Sequence, residues 1–144
     1  MSGPLPHLLA SAVVLDAGGT HTLLVRVGEY GRWGLLGGHV EGGEPLAEAA
    51  RREVRQHGGI SQFRVLEPHL AVQQDLLDCG HGETRHVDHL FAVVVDPAEP
   101  VEVLSSADSA EVRLGWFAMT DLPEPLAPGV RMHLRSGLRT ALGD

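Results

Sequence analysis

Glu53, Gln56 and His57 are spaced at i, i+3 and i+4 within the stretch GGHVEGGEPLAEAARREVRQHGG, residues 37–59. On a helix that spacing makes them neighbours on one face. A wheel of about 100° per residue places Leu46, Ala50 and Val54 on an apolar stripe and Glu48, Arg51 and Arg55 on the solvated side. Glu53 and His57 fall about 20° either side of the Leu46 direction, and Gln56 lies beside Glu53 one turn along. An ionised glutamate that faces inward is costly unless a cation or hydrogen-bond donors meet it. Two kinds of partner meet that demand: an arginine such as Arg52 in a structural ion pair, or a divalent metal ion.

The elements that must position these groups are legible on both sides. Pro45 belongs at the first turn of a helix, where its fixed φ and missing N–H cost nothing, and Gly58-Gly59 is a strong stop after His57. Upstream, Leu8 to Asp16 and Thr22 to Val27 read as strands around the turn AGGT, and GEYGRWGLLGG reads as a loop. Downstream, strand-like segments lie between Phe63 and Leu76, CGHGETR reads as a hairpin loop, and His86 to Val95 contains LFAVVV, the mark of a strand buried on both faces. VRLGWFAMTDLP gives a further strand and a turn. Met132 to Leu142 closes as a helix with Leu134, Leu138 and Leu142 at i, i+4 and i+8. Strands interspersed with two helices predict an α/β or α+β domain with a mixed sheet.

The 144 residues suit one domain with a single well-buried core, expected to span 1–144. All eleven basic residues are arginine, and the net charge is −8. That balance argues against broad binding to nucleic acid or to an anionic membrane. The one cysteine, Cys79, cannot form an internal disulfide. HLLASAVVL has the look of a short signal-peptide core, but no Lys or Arg precedes it and it is too short to span a membrane. It reads as a buried strand, and a cytoplasmic location is expected.

The stretch resembles the signature of the Nudix hydrolases, G-x5-E-x7-R-E-U-x-E-E-x-G-U with U a bulky aliphatic residue. Gly38, Glu44, Arg52, Glu53, Val54, Gly59 and Ile60 all match in register. WGLLGG is similar to the family's W-x-L-P-G-G with Leu36 in place of proline, and GWFAMTDLP to its later tryptophan strand and turn. The resemblance spans the chain from the first strand to about Pro123. It implies an α/β/α sandwich with a mixed central sheet, hydrolysis of a nucleoside diphosphate linked to another moiety, and a divalent cation, Mg²⁺ or Mn²⁺, held against the pyrophosphate. It also implies that Gly38, Glu44, Arg52 and Gly59 shape the loop, with a homodimer as a family-level expectation.

The chain departs from this pattern where the family has Glu-Glu and this sequence has Gln56-His57. Glu53 is then the one carboxylate of the usual helix set. Gln56 offers an amide oxygen and His57 an imidazole nitrogen, poorer partners for Mg²⁺ than carboxylates. The expected site is therefore Glu53, Gln56 and His57 with a weakened grip on metal, in a hydrolase or in a ligand-binding module that no longer hydrolyses. Further candidates surround it. Glu41 and Glu44 could add carboxylate oxygens to a displaced metal, but they read better as a solvated group and a partner of Arg52. Glu83, Asp88 and Glu111 could each supply an extra ligand or base, and spacing does not choose among them. Cys79, His81, His86 and His89 are rich in ligand atoms, with His57 as a further member, yet match no zinc spacing. In a strand, His86 and Asp88 share one face while His89 points to the other. Tyr30, Arg32 and Trp33 could line a substrate pocket by stacking or phosphate pairing. Arg131, Arg135 and Arg139 read as a solvated helix face.

Overall fold

The run HLLASAVVL folds as the central strand β1 (His7–Leu15), with Ala10, Ala12, Val13, Val14 and Leu15 wholly buried. A strand covered on both faces needs such a continuous apolar run. The structure is a computed structural model that describes residues 5–28, 31–78, 80, 82–100 and 112–143. Tyr30, Cys79, His81 and Glu111 lie outside the described residues.

β2 (His21–Val27), β3 (Trp33–Gly34) and β4 (Leu36–His39) follow, then α1 (Leu46–Gly58), β5 (Phe63–Val65), β6 (Ala71–Asp78), β7 (Glu83–Val95), β8 (Val112–Ala118) and α2 (Val130–Leu142). β1 pairs in parallel with β7 along its whole length, from His7↔His86 to Leu15↔Val94. Its other edge is divided between two antiparallel partners, β4 along Leu9–Ala12 and β2 at Val14 and Leu15. The far edge of β7 is divided in the same way between β6 and β5. β8 runs antiparallel to β2, which also carries β3. The sheet is therefore mixed, as expected.

Alternate residues of β1 serve the two faces. Ala10, with Phe91, packs against Ala49 and Ala50 of α1, and Ala12 and Val14 join Val54. Val13 and Leu15 pack instead with Val130 and Leu134 of α2. With α1 on one face and α2 on the other, the layers form the expected α/β/α sandwich. LFAVVV lies within β7, where Leu90, Phe91, Ala92, Val93 and Val95 are buried. No helix among the described residues is long and apolar enough to cross a membrane.

The largest differences from the sequence reading lie in three places. GEYGRWGLLGG was expected as a loop, yet it contains β3 and β4, because pairing to β2 and β1 overrides the weak strand propensity of its glycines. Gly37 is needed there: a Cβ would run into the side chain of Ser11 and the carbonyl of Ala10. β7 starts at Glu83 rather than His86, because the pairing with β6 extends to Asp78↔Glu83. α2 starts at Val130, directly after Gly129 at φ 82°.

Gly137 sets how closely α2 approaches the sheet. A Cβ there would meet Val13 Cγ1 at 2.6 Å and Val13 Cβ at 3.3 Å. In an exposed helix, glycine to alanine gains about 1 kcal/mol of propensity. Here overpacking against a buried β-branched residue, typically about 1–3 kcal/mol, opposes it. Gly137→Ala is expected to lower unfolding stability by about 1 kcal/mol in urea titration, and Val13→Ala should cost less in the Gly137→Ala background than in wild type, a favourable coupling.

Candidate active site

The glycine loop and α1 meet at one buried charge. Glu53 is only 2% exposed, among the buried residues Ala49, Ala50 and Val54. Its carboxylate lies against Gly38 of β4, where a Cβ would come within 2.8 Å of Oε1. Gly38 thus clears the space that the glutamate occupies. At the other end of the helix, Gly59 adopts φ 68°, a left-handed cap whose N–H returns to the Val54 carbonyl. Pro45 forms the N-cap with φ −61° and ψ 146°, and Leu46 is the first helical residue.

Arg52 joins loop and helix. Its Nε donates to Glu44 Oε2 at 2.9 Å and its Nη2 to Glu44 Oε1 at 3.1 Å. Nη2 also donates to the His39 carbonyl at 3.0 Å, and Nη1 to Glu53 Oε2 at 2.8 Å. Glu44 Oε1 further accepts the backbone N–H of Glu41 at 3.1 Å. The guanidinium contact, followed by that N–H, holds the Glu44 carboxyl below its ordinary value of 4.5. Reciprocally, the Glu44 hydrogen bonds push Arg52 up, so it stays charged. Glu41 is 71% exposed and 3.8 Å from Arg52 Nε, a solvated neighbour rather than a member of the fork.

The remaining oxygen of Glu53 is occupied as well. His57 Nδ1 lies 3.0 Å from Glu53 Oε1, one turn along, and the imidazole is largely exposed. An ionised carboxylate only accepts, so Nδ1 carries the hydrogen. Gln56 is exposed on the same end of α1. Glu53 thus meets two nitrogen donors among the described residues: Arg52, the arginine partner that the wheel allowed, and His57. A hard Mg²⁺ centre needs about six oxygen ligands, mostly anionic or carbonyl. One carboxylate already bonded to two donors, with a neutral amide and an imidazole beside it, does not fit that requirement.

The other sequence candidates are dispersed. Trp33 is buried, edge-on to Phe117, with the Arg26 guanidinium 5.3 Å over its ring, so its described contacts are those of a core residue. Arg32 is exposed. Asp88 accepts Ser11 Oγ at 2.8 Å on the α2 face of the sheet, across from Glu53, and burial raises its pKa. Glu83 is exposed at the start of β7. Arg131, Arg135 and Arg139 are exposed along α2.

The described histidines of the Cys/His group do not converge. His89 faces His69 and His57 stands on α1, whereas His86 is enclosed with His7 and His39. His7 and His39 were not among the sequence candidates. With His7 and His86 79 positions apart, only the β1–β7 register could have revealed the pair.

A family model described as the NUDIX domain matches residues 5–136. The chain belongs to the Nudix hydrolase family. It is 30% identical over 105 residues to the mouse (Mus musculus) protein described as 8-oxo-dGDP phosphatase NUDT18, a match covering 72% of this chain and 29% of that protein. This chain therefore spans under a third of that relative's length. A crystal structure of a MutT Nudix hydrolase from Burkholderia pseudomallei superposes with TM-score 0.62 at 26% identity, covering 92% of this chain and 98% of the other. A Nudix-family hydrolase from Clostridium perfringens shares the fold at TM-score 0.72 and 16% identity, with 95% and 99% coverage. Nudix hydrolases generally use divalent cations.

Two outcomes follow from the fork at Arg52. Arg52→Lys should destabilise the protein by about 1–2 kcal/mol, because a single ammonium cannot span Glu44, Glu53 and the His39 carbonyl together. The Glu44 contribution should also depend on pH. Its folded pKa is depressed, so the stabilisation is complete above the ordinary value of 4.5 and is lost as pH falls through the lower, folded value. Urea unfolding of wild type and Glu44→Gln should therefore differ most near neutral pH and converge in acid.

Proposed function

We propose that this chain hydrolyses the phosphoanhydride bond of a nucleoside diphosphate linked to another moiety, with a weakened divalent-cation site. The reading rests on one observation: a buried glutamate is held against the glycine loop by an arginine that also anchors Glu44 and the loop carbonyl of His39. Holding that charge indoors is costly for a purely structural element. Glu53 is the acidic centre, with Gln56 and His57 flanking it and Gly38, Glu44, Arg52 and Gly59 holding the loop. Arg32, which is exposed, is the candidate for pairing with a phosphate, whereas Trp33 packs in the core on the α2 face with Val13, Leu15 and Val130.

In the reaction, water adds to one phosphorus, the bridging P–O bond breaks, and two phosphomonoesters leave. A divalent cation supplies charge neutralisation for this chemistry. The donors present favour Mn²⁺ over Mg²⁺, since an imidazole and an amide stand where the family has carboxylates. The substrate is a small nucleotide derivative rather than a nucleic acid, in keeping with the net charge of −8. The nucleoside diphosphate in the mouse relative's description carries the same phosphoanhydride without a second moiety, so its hydrolysis gives one phosphomonoester and inorganic phosphate.

The contact of His57 Nδ1 with Glu53 Oε1 favours a second reading, a module that binds such a ligand without turning it over. Assays of nucleoside monophosphate formation on a panel of nucleoside diphosphate derivatives, with Mg²⁺ and with Mn²⁺, separate the two. Under the proposal, wild type is active, prefers Mn²⁺, and loses about 100-fold or more in kcat/KM in Glu53→Gln, a few kcal/mol of transition-state stabilisation. Wild type that binds nucleotide but is inert, and gains turnover in Gln56→Glu/His57→Glu, establishes the binding module instead.

A further inference from the structure

On the α2 face of the sheet, opposite Glu53, the strands β1, β4 and β7 bring three imidazoles together. One ring nitrogen from each of His7, His39 and His86 lies within 4.8 Å of the other two. The rings stand edge-on, with centroids 4.8 Å apart for His7–His86, 5.3 Å for His39–His86 and 5.5 Å for His7–His39. Strand register fixes the arrangement, because His7 is paired with His86 and His39 with Leu9, two residues along on the same face.

The tautomer of His86 is determined by its neighbour. His86 Nδ1 lies 2.8 Å from the Thr84 carbonyl, which can only accept, so Nδ1 bears the hydrogen. The lone pair is then on Nε2, and Nε2 faces His7 Nδ1 at 3.3 Å. A ring N–H anchored on a backbone carbonyl, with the second nitrogen presented to a shared centre, is the usual support of a metal-ligating histidine. Two nitrogens bound to one Zn²⁺ at about 2.0–2.1 Å and a tetrahedral angle stand about 3.3 Å apart. His86 is 1% exposed while His39 is exposed, so the group has a buried floor and a solvent side.

We propose that His7, His39 and His86 form a binding site for a nitrogen-preferring transition-metal dication of the Zn²⁺ class, separate from Glu53. Three neutral imidazoles without a carboxylate select Zn²⁺, Co²⁺, Ni²⁺ or Cu²⁺ over Mg²⁺. Without metal, His7 Nδ1–H donates to His86 Nε2. Binding replaces that hydrogen, which moves to His7 Nε2 or to solvent, and leaves a fourth position for water. His39 also offers its carbonyl to Arg52, so an ion held here would steady the glycine loop from the opposite face of the sheet.

The test is titration of chelator-treated wild type with Co²⁺, read by visible absorption and calorimetry. The expected result is one tightly bound Co²⁺ per chain with intense tetrahedral d–d bands, distinct from the weaker, oxygen-rich cation site at Glu53, displaced by Zn²⁺ and not by excess Mg²⁺. His39→Ala, at an exposed position, should weaken binding by about 100-fold or more, beyond the roughly 10–100-fold typical of losing a supporting contact. His7→Ala should do the same, and Glu53→Gln and His57→Ala should retain wild-type affinity. The proposal is overturned if Co²⁺ does not bind stoichiometrically, if binding survives both His39→Ala and His7→Ala, or if it disappears in Glu53→Gln or His57→Ala. Because the readout is metal binding, failure here is distinguishable from failure of the hydrolase reading.

Discussion

The guanidinium of Arg52 satisfies two carboxylates and a strand carbonyl at once, and the loop, α1 and β4 keep their relative positions through it. Its planar fork suits that task, since donors at fixed angles can serve acceptors from three different segments. Without it, Glu53 would be a buried charge with His57 as its one described hydrogen-bond partner, and Glu44 would lose the contact that most lowers its pKa. The glycines follow from the same constraint. Gly38 is small because the carboxylate occupies the space a side chain would need, and Gly59 is left-handed because the chain must turn away directly after the helix.

The pairing of Glu53 with two nitrogen donors also separates what the fold retains from what the chemistry requires. Loop geometry depends on Gly38, Glu44, Arg52 and Gly59, all of which make contacts or adopt backbone shapes that hold α1 in place. The metal-binding power of such a loop depends on carboxylate oxygens, and Gln56 and His57 stand at the positions where the family carries two of them. A Nudix frame can therefore be complete while its affinity for a hard cation is low. Hydrogen bonds stabilise the first property, and net negative charge controls the second.

Much of the architecture was legible in the residues alone. The wheel placed Glu53 inside, the Gly-Gly stop placed the helix end, and the run in β1 marked a strand covered on both faces. Alternation in β7 correctly put His86 and Asp88 on one side and His89 on the other. The wheel was less informative for His57. A position near the edge of a buried sector has a side chain long enough to reach solvent, and here it does. β3 and β4 were hidden because glycine-rich segments carry no strand preference of their own and are ordered by their partners. The meeting of His7, His39 and His86 was hidden for a related reason: three distant segments converge only through strand register, which local periodicity does not encode.

Adjacent residues of β4 serve opposite sides of the sheet, Gly38 toward Glu53 and His39 toward His7 and His86. A slip of one residue against β1 would exchange them, bringing an imidazole against the buried carboxylate and a glycine among the histidines. Leu36 and Gly37 guard against this error, one by filling the core and the other by lying so close to Ser11 that no side chain is tolerated. Two residues with no chemistry of their own thus decide which chemistry appears on each side.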